Sequence, residues 1–188
     1  LWKVTELGLE EKTIVLFLTD NGPNTRDRYN AGMKGFKGCV DEGGVRVPLF
    51  VRWSGHVEPG GVVRDLAAHI DLLPTLMDLC GIDIPETLQL DGITLNPLLM
   101  NNRTVRSDRF IFTHRYWGNE LQLRNGAARS RQFRYVLTNG EESLYDLVND
   151  PGQKRNISQE KPEVFERLRT AYGDWFNDVS KGWECESV

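Results

Sequence analysis

A carboxylate and a carboxamide lie side by side at Asp20 and Asn21, one residue after the apolar run of residues 14–18. In open α/β sheets, binding sites gather outside the carboxyl ends of strands. Asp and Asn supply the hard oxygen ligands that Ca²⁺ and Mg²⁺ prefer. Taken alone, Asp-Asn-Gly is more typical of an ordinary turn. No second acidic pair follows another predicted strand, so we expect any further ligands to lie outside this chain.

Lys37 is the second candidate, and it lies between Gly35 and Gly38. These glycines allow the backbone to approach a ligand closely. A lysine ammonium in such a loop can act as a point charge for a sulfate or phosphate oxygen. A solvated loop lysine is the more common case, and Lys34 has the same ambiguity.

The segment of residues 42–48 follows with two adjacent glycines and then Arg46. The glycines suit a backbone turn that enters a strand, and Arg46 could pair with Glu42 or Asp41. We therefore interpret this segment as a scaffold that fixes the Lys37 loop.

His114 is the histidine with the clearest possible role in ligand binding. Histidine can serve as an acid or base near neutral pH. His114 ends a predicted strand and precedes Arg115, Tyr116 and Trp117, a combination that suits a polar or sugar-like ligand. An exposed strand end is the more common alternative. A nucleophile is not evident, since Cys39 has no partner base.

Composition narrows the function classes. The chain of 188 residues carries a net charge of -4, which gives no electrostatic support for general nucleic-acid binding. No apolar run approaches the ~20 residues of a membrane span. The three widely spaced cysteines favour neither a zinc site nor a disulfide framework.

The first half of the chain predicts an α/β arrangement. Helical spacing begins at Leu1 without a preceding N-cap and stops at Gly8, so we expect the chain to begin inside a helix of a longer protein. Residues 14–18 are continuously apolar, which favours a parallel sheet covered on both faces. A long functional loop over residues 19–44, a second strand from Val45 to Val51, and a helix capped by Asp71 follow. Residues 82–104 read as irregular.

The second half predicts a small antiparallel sheet with a packing helix. Asn139-Gly140 is a strong signal for a type I′ hairpin, and residues 150–152 predict a turn. The predicted strands are residues 110–113, 126–130, 133–138 and 143–147, and the predicted helix covers residues 162–176 with apolar positions three and four apart. We expect a boundary near residue 102, with residues 1–102 and 103–188 as two domains.

The order of these motifs resembles the C-terminal part of the sulfatases, in the alkaline-phosphatase-like superfamily. The matching segments are T-I-V-L-F-L-T-D-N-G at 13–22, K-G-C-V-D-E-G-G-V-R-V-P at 37–48, H-I-D-L-L-P-T-L-M-D-L-C-G-I at 69–82, D-G-I-T-L at 91–95 and L-Y-D-L-V-N-D-P at 144–151. The resemblance implies the C-terminal part of an α/β/α sulfatase fold, with the small antiparallel sheet as its C-terminal subdomain.

The resemblance also implies residue roles and partners. Asp20 and Asn21 match the family's late pair of metal ligands, usually for Ca²⁺ with Mg²⁺ possible, and Lys37 matches the catalytic lysine that contacts the substrate sulfate. The family's nucleophile is a formylglycine made from a C/S-x-P/A-x-R motif, and none of the three cysteines has those neighbours. We therefore expect the nucleophile in a missing N-terminal part, an inactive isolated chain, a sulfated small molecule or glycan as substrate, and a periplasmic, secreted or lysosomal setting.

Two alternatives remain open at this point. Phosphoester and phosphonate hydrolases of the same superfamily share the layout of a metal at a strand end. A non-catalytic module that binds a glycan or a protein through residues 114–117 is the alternative from a different class.

Overall fold

The computed structural model describes residues 1–101, 108–116 and 121–181. In chain order the elements are α1 (Trp2–Glu6), β1 (Val15–Leu18), α2 (Glu42–Val45), β2 (Leu49–Arg52), α3 (Leu72–Leu79), α4 (Asn96–Asn101), β3 (Ile111–His114), β4 (Asn125–Arg129), β5 (Phe133–Thr138), β6 (Glu141–Asp146) and α5 (Pro162–Val179), with short 3₁₀ turns at Glu10–Lys12 and His69–Asp71.

Two compact units divide the chain. One takes in Leu1–Leu18 and continues from Pro48, and the other takes in Thr19–Val47 and continues from Asp108. The long loop after β1 therefore belongs to the same unit as the C-terminal sheet. The predicted boundary near residue 102 stays a prediction, and it lies outside the described residues together with Trp117 and Cys185.

In the first unit, β1 and β2 form an antiparallel pair in which Val15 lies opposite Arg52 and Leu18 opposite Leu49. The prediction of a parallel partner is wrong for this pair, because an apolar run that is typical of parallel sheets does not fix the direction of any one partner strand. Burial of both faces is not seen either, since Phe17 is 60% exposed. The second strand also begins later than predicted, since Val45 ends the helical turn α2.

Helix ends in the first unit follow local signals in part. Gly8 adopts a φ of 63° directly after α1, as the predicted helix stop requires. The Asp71 carboxylate accepts hydrogen bonds from the N–H groups of Ala68 (2.7 Å) and Ile93 (3.0 Å). Asp71 therefore occupies the predicted N-cap position of α3, but its side chain makes no capping hydrogen bond to that helix, because its carboxylate caps the preceding 3₁₀ turn. The region read as irregular contains α4, which starts with Pro97 as its second residue.

The second unit contains a four-stranded antiparallel meander in the order β3-β4-β5-β6. Asn139 and Gly140 have φ values of 51° and 89°, and Thr138 lies opposite Glu141. A type I′ turn needs positive φ at both central residues, so the predicted hairpin is confirmed. The Gln153 N–H donates to the Asp150 carbonyl (3.0 Å), which closes the predicted turn over residues 150–152.

Helix α5 packs on one face of this sheet, as the spacing of its apolar residues predicts. The shared core holds Tyr135, Leu144, Leu168 and Tyr172, which are all buried. At Gly126 a Cβ atom would lie 1.7 Å from the Tyr172 hydroxyl oxygen, so only glycine allows this approach of the helix to β4. Within the described ranges, no helix combines the length and apolar character that crossing a bilayer requires.

Candidate functional site

Asp20 and Asn21 follow the end of β1 and begin the loop of the second unit. Asp20 is exposed and Asn21 half-buried, and the Asn21 amide donates a hydrogen bond to the Asp20 carboxylate. The Thr19 hydroxyl donates to the Asn21 carbonyl oxygen at 3.2 Å. Both side chains therefore lie together at the surface. A half-turn of the Asn21 amide about its terminal torsion would exchange its nitrogen for its oxygen.

The oxygen atoms of Asp20 and Asn21 are chemically suited to form part of the coordination shell of a hard cation. A carboxylate and an amide oxygen are suitable ligands for Ca²⁺, which takes 6–8 oxygens, so at least ~4 ligands must come from other groups. Among residues 1–101, 108–116 and 121–181, no three or more His, Cys, Asp or Glu side chains cluster as a metal site would need. The pair would supply only two of the ligands that such a shell needs.

Glycine contacts hold the backbone next to this pair. The Gly22 N–H donates to the Gly44 carbonyl (2.9 Å), and a Cβ on Gly22 would lie 1.9 Å from the Gly43 carbonyl oxygen. A Cβ on Gly43 would lie 2.5 Å from the Gly35 carbonyl oxygen, and one on Gly44 would lie 2.1 Å from that of Cys39. The backbone after Asn21 therefore packs directly on the turn of α2, with no room for side chains.

The Lys37 backbone is tied to the same segment. Its N–H donates to the Pro23 carbonyl at 2.9 Å, two residues beyond Asn21. The Lys37 side chain is exposed, and its ammonium has no hydrogen bond or ion pair with any residue that the structure describes. The structure thus brings the backbone of the predicted sulfate-contacting lysine next to the segment that follows the predicted metal pair.

A buried ion network anchors α2 to the sheet. Glu42 is 1% exposed, and its Oε1 accepts hydrogen bonds from Arg129 Nε (2.9 Å) and Arg134 Nη1 (3.0 Å). Arg134 is equally buried, and its Nε also donates to the Val40 carbonyl (3.1 Å). Burial lowers the pKa of Arg134 to about 10, which leaves it charged at neutral pH. The predicted pairing of Arg46 with Glu42 is confirmed, with Nη1 3.5 Å from Oε2.

Lys34 and Gln153 add a second set of anchors. The Lys34 ammonium donates to the Tyr145 hydroxyl (2.9 Å) and lies 3.2 Å from an Asp41 oxygen. Burial acts to lower the Lys34 pKa, but these contacts outweigh it and raise the pKa. The Gln153 Oε1 accepts the Glu42 N–H at 2.7 Å. Lys34 therefore fastens the loop to the sheet, whereas the Lys37 ammonium is available to a ligand.

His114 lies on β3 and faces α5. Its Nδ1 shares a 2.7 Å hydrogen bond with the Tyr172 hydroxyl, and its ring centroid is 5.0 Å from that of Phe176. Its Nε2 is buried and lacks a hydrogen-bond partner within the described part of the chain. These contacts are those of a packed structural residue, and a role of His114 in substrate binding stays a prediction.

Burial lowers the pKa of His114, which gives a prediction for the pH dependence of stability. The folded state favours the neutral ring, so this contribution is present above the unfolded pKa of about 6.5 and is lost as the pH falls below it. We expect the urea midpoint to drop between pH 7.5 and pH 5.5, and to drop less in His114→Gln. Tryptophan fluorescence at each pH measures this. The exposed His56, replaced by Gln, is the control. An equal drop of the urea midpoint in the wild type and in His114→Gln would show that His114 does not contribute to the pH dependence of stability.

Comparisons with known proteins point in one direction. The sequence model of the family described as N-sulphoglucosamine sulphohydrolase, C-terminal, matches residues 36–172. Arylsulfatase A of Homo sapiens is 34% identical over 197 residues, covering 88% of this chain and 38% of the relative. Steryl-sulfatase of Mus musculus is 28% identical over 190 residues, covering 82% and 30%. The chain therefore spans less than two fifths of the length of these relatives.

Solved structures agree with this result. The crystal structure of Ps i-CgsB in complex with k-i-k-neocarrahexaose superposes with a TM-score of 0.85 at 25% identity, covering 98% of this chain and 41% of that one. A 2-O GAG sulfatase superposes with a TM-score of 0.67 at 22% identity, covering 95% and 40%, which concerns the fold alone.

Proposed function

The chain belongs to the sulfatase family, and on that premise we propose that the protein hydrolyses sulfate esters. The observation that carries the proposal is the 2.9 Å hydrogen bond from the Lys37 N–H to the Pro23 carbonyl. It holds the backbone of an exposed lysine, whose ammonium has no partner in the described chain, beside the segment that starts with Asp20 and Asn21. A pair of side chains suited to a cation and a free ammonium on one loop together suit the oxyanion of a sulfate or phosphate monoester.

Asp20 and Asn21 are assigned as ligands of one hard cation, Ca²⁺ with Mg²⁺ as the alternative. When bound, such a cation supplies Lewis-acid stabilisation of oxyanions. Asn21 can take part through its side-chain oxygen once its amide has made the half-turn away from the hydrogen bond with Asp20. The remaining ligands and a formylglycine nucleophile are assigned to residues outside this sequence.

Lys37 is assigned to the sulfate oxygens. Negative charge shifts to the departing oxygen as the S–O bond of the ester breaks, and a fixed ammonium nearby stabilises that charge. The effect is larger in a site that excludes water, because the local dielectric constant is lower there. Lys34 does not compete for this role, since Tyr145 and Asp41 hold its ammonium.

The experiment that tests the proposal measures ester hydrolysis by the full-length protein. We expect release of sulfate from 4-nitrophenyl sulfate or from a panel of sulfated saccharides, loss of that activity with a chelator, and recovery with Ca²⁺. 4-Nitrophenyl phosphate and a phosphonate ester are the matched substrates for the other superfamily activities. Faster cleavage of the phosphate or phosphonate ester would show that the enzyme attacks phosphorus and not sulfur. Release from no substrate would favour the non-catalytic binding module.

A further inference from the structure

Residues 23–37 form a closed loop, named here the arginine loop. Its ends are joined by the hydrogen bond from the Lys37 N–H to the Pro23 carbonyl. Close ends and a length of this order are both typical of a compact Ω-loop. The Asn30 side-chain amide braces the interior, donating to the carbonyls of Met33 (2.6 Å) and Gly35 (3.0 Å). The loop is therefore held in shape by its own hydrogen bonds, and its two ends adjoin the residues proposed to bind sulfate and cation.

The charge of the arginine loop is opposite to that of the whole chain. It contains four Lys and Arg residues and one Asp, in a chain with a net charge of -4. The single acid, Asp27, receives a hydrogen bond from the Thr25 side chain, which lowers its pKa. Its carboxylate is therefore engaged with a hydroxyl. The loop has an excess of positive charge at the surface.

Two guanidinium groups carry most of this exposed charge. Arg26 and Arg28 are exposed, and neither forms an ion pair with an acid in the described chain. The Arg26 guanidinium lies 5.1 Å from the centroid of the Phe36 ring, a contact that orients it without neutralising it. Arginine presents paired N–H donors that match the oxygens of a sulfate group. Both groups are therefore free to bind further anionic groups.

Tyr29 lies next to Arg28 and is 91% exposed. A phenol ring combines a broad apolar face with a hydroxyl, so it is suited to cover the face of a sugar ring and donate to its hydroxyl groups. The arginine loop thus exposes two cations and one aromatic ring in addition to Lys37.

We propose that the arginine loop binds the part of the substrate beyond the reacting ester, and that the substrate is an oligosaccharide carrying more than one sulfate group. This inference rests on the proposed function of the same site. A monosulfated aryl ester has one anionic group, which is assigned to Lys37 and the cation. Arg26 and Arg28 contact a second sulfate, and Tyr29 covers an adjoining sugar ring.

The test is direct binding, which does not depend on turnover. Isothermal titration calorimetry of the full-length protein at about 0.15 M ionic strength uses a heparin hexasaccharide as the probe. We expect the double variant Arg26→Ala/Arg28→Ala to bind about 10-fold or more weakly, and Tyr29→Ala a few-fold more weakly. Arg155→Ala is the control, since Arg155 is exposed and pairs only with Glu160 among the described residues. Its affinity should match that of the wild type.

The kinetic readout separates this inference from the proposed function. The double variant should keep the wild-type rate on the smallest monosulfated ester that the protein cleaves. Unchanged hexasaccharide affinity in the double variant, no binding by the wild type, or equal binding of a single-stranded DNA of the same charge would overturn the inference. Arginine-dependent binding without sulfate release from any ester would refute only the proposed function.

Discussion

Replacing Lys37 by alanine in the full-length protein is expected to lower turnover of a sulfate ester by about 10²- to 10³-fold. The ammonium is exposed and has no partner among the described residues, so its removal costs the fold nothing that the structure shows. Its proposed contact is with the oxygens of the reacting sulfate, where charge changes during S–O cleavage. The loss should therefore fall mainly on kcat, with a smaller change in KM. Steady-state kinetics measures kcat and KM, and a thermal melt of the same preparation measures the stability of the fold.

Two further variants make this result specific. Lys37→Arg keeps a cation of different shape and should recover part of the lost rate. Lys12→Ala removes an exposed lysine that belongs to the other compact unit, and it should leave kcat unchanged. Near-normal turnover in Lys37→Ala would remove Lys37 from the mechanism. A large drop in the melting temperature of that variant would instead assign it a structural role.

The second large effect is expected for Glu42→Ala, which should reduce the free energy of unfolding by about 3–5 kcal/mol. Glu42 is the acceptor for Arg129 and Arg134, and Arg134 is 1% exposed. Without the carboxylate, a buried guanidinium keeps its desolvation cost and loses its main counter-charge. A fall of about 10 °C in melting temperature is the corresponding change for a folding unit of ~150–250 residues, measured by calorimetry.

A surface pair provides the comparison. Arg155 and Glu160 form an ion pair of 2.7 Å with both side chains largely exposed, so Glu160→Ala should cost less than about 1 kcal/mol. The combination Glu42→Leu with Arg134→Met removes the buried charge together with its partner, and it should recover part of the loss. If Glu42→Ala were no more destabilising than Glu160→Ala, the buried network would not be what holds the site loop.

The fold was predictable where the signal is local. The α/β fold class with a small antiparallel sheet and packing helix is confirmed by the likeness to solved sulfatases. The Asn139-Gly140 hairpin and α5 followed from turn chemistry and helical spacing. Strand direction at β1 did not, because an apolar composition does not fix the direction of one partner strand. Residues 42–45 form a helical turn, since three glycine contacts with neighbouring backbone decide its path.

For the candidate site too, the residues marked by local signals were predictable and those that act over a long stretch of chain were not. Asp20, Asn21 and Lys37 stand out because their residue types carry chemistry and lie in one glycine-rich loop. The anchors Arg129, Arg134 and Gln153 were missed, because each meets residues 40–42 across a long stretch of chain. One signal was present: Arg134 interrupts the apolar strand of residues 133–137, and a charged residue in a buried strand needs a partner.

The length of these connections has a consequence for the order of folding. Residues 34–42 bond to partners between 87 and 112 residues further along the chain. The β4-β5-β6 meander closes over short distances and can form early, whereas loop closures of this span come late. At a synthesis rate of ~5–20 residues per second, the loop waits about 5–20 s for its anchors to emerge from the ribosome. The candidate site is therefore among the last parts of the chain to assemble, and a slowly folding β5 would delay activity without altering any residue of the site.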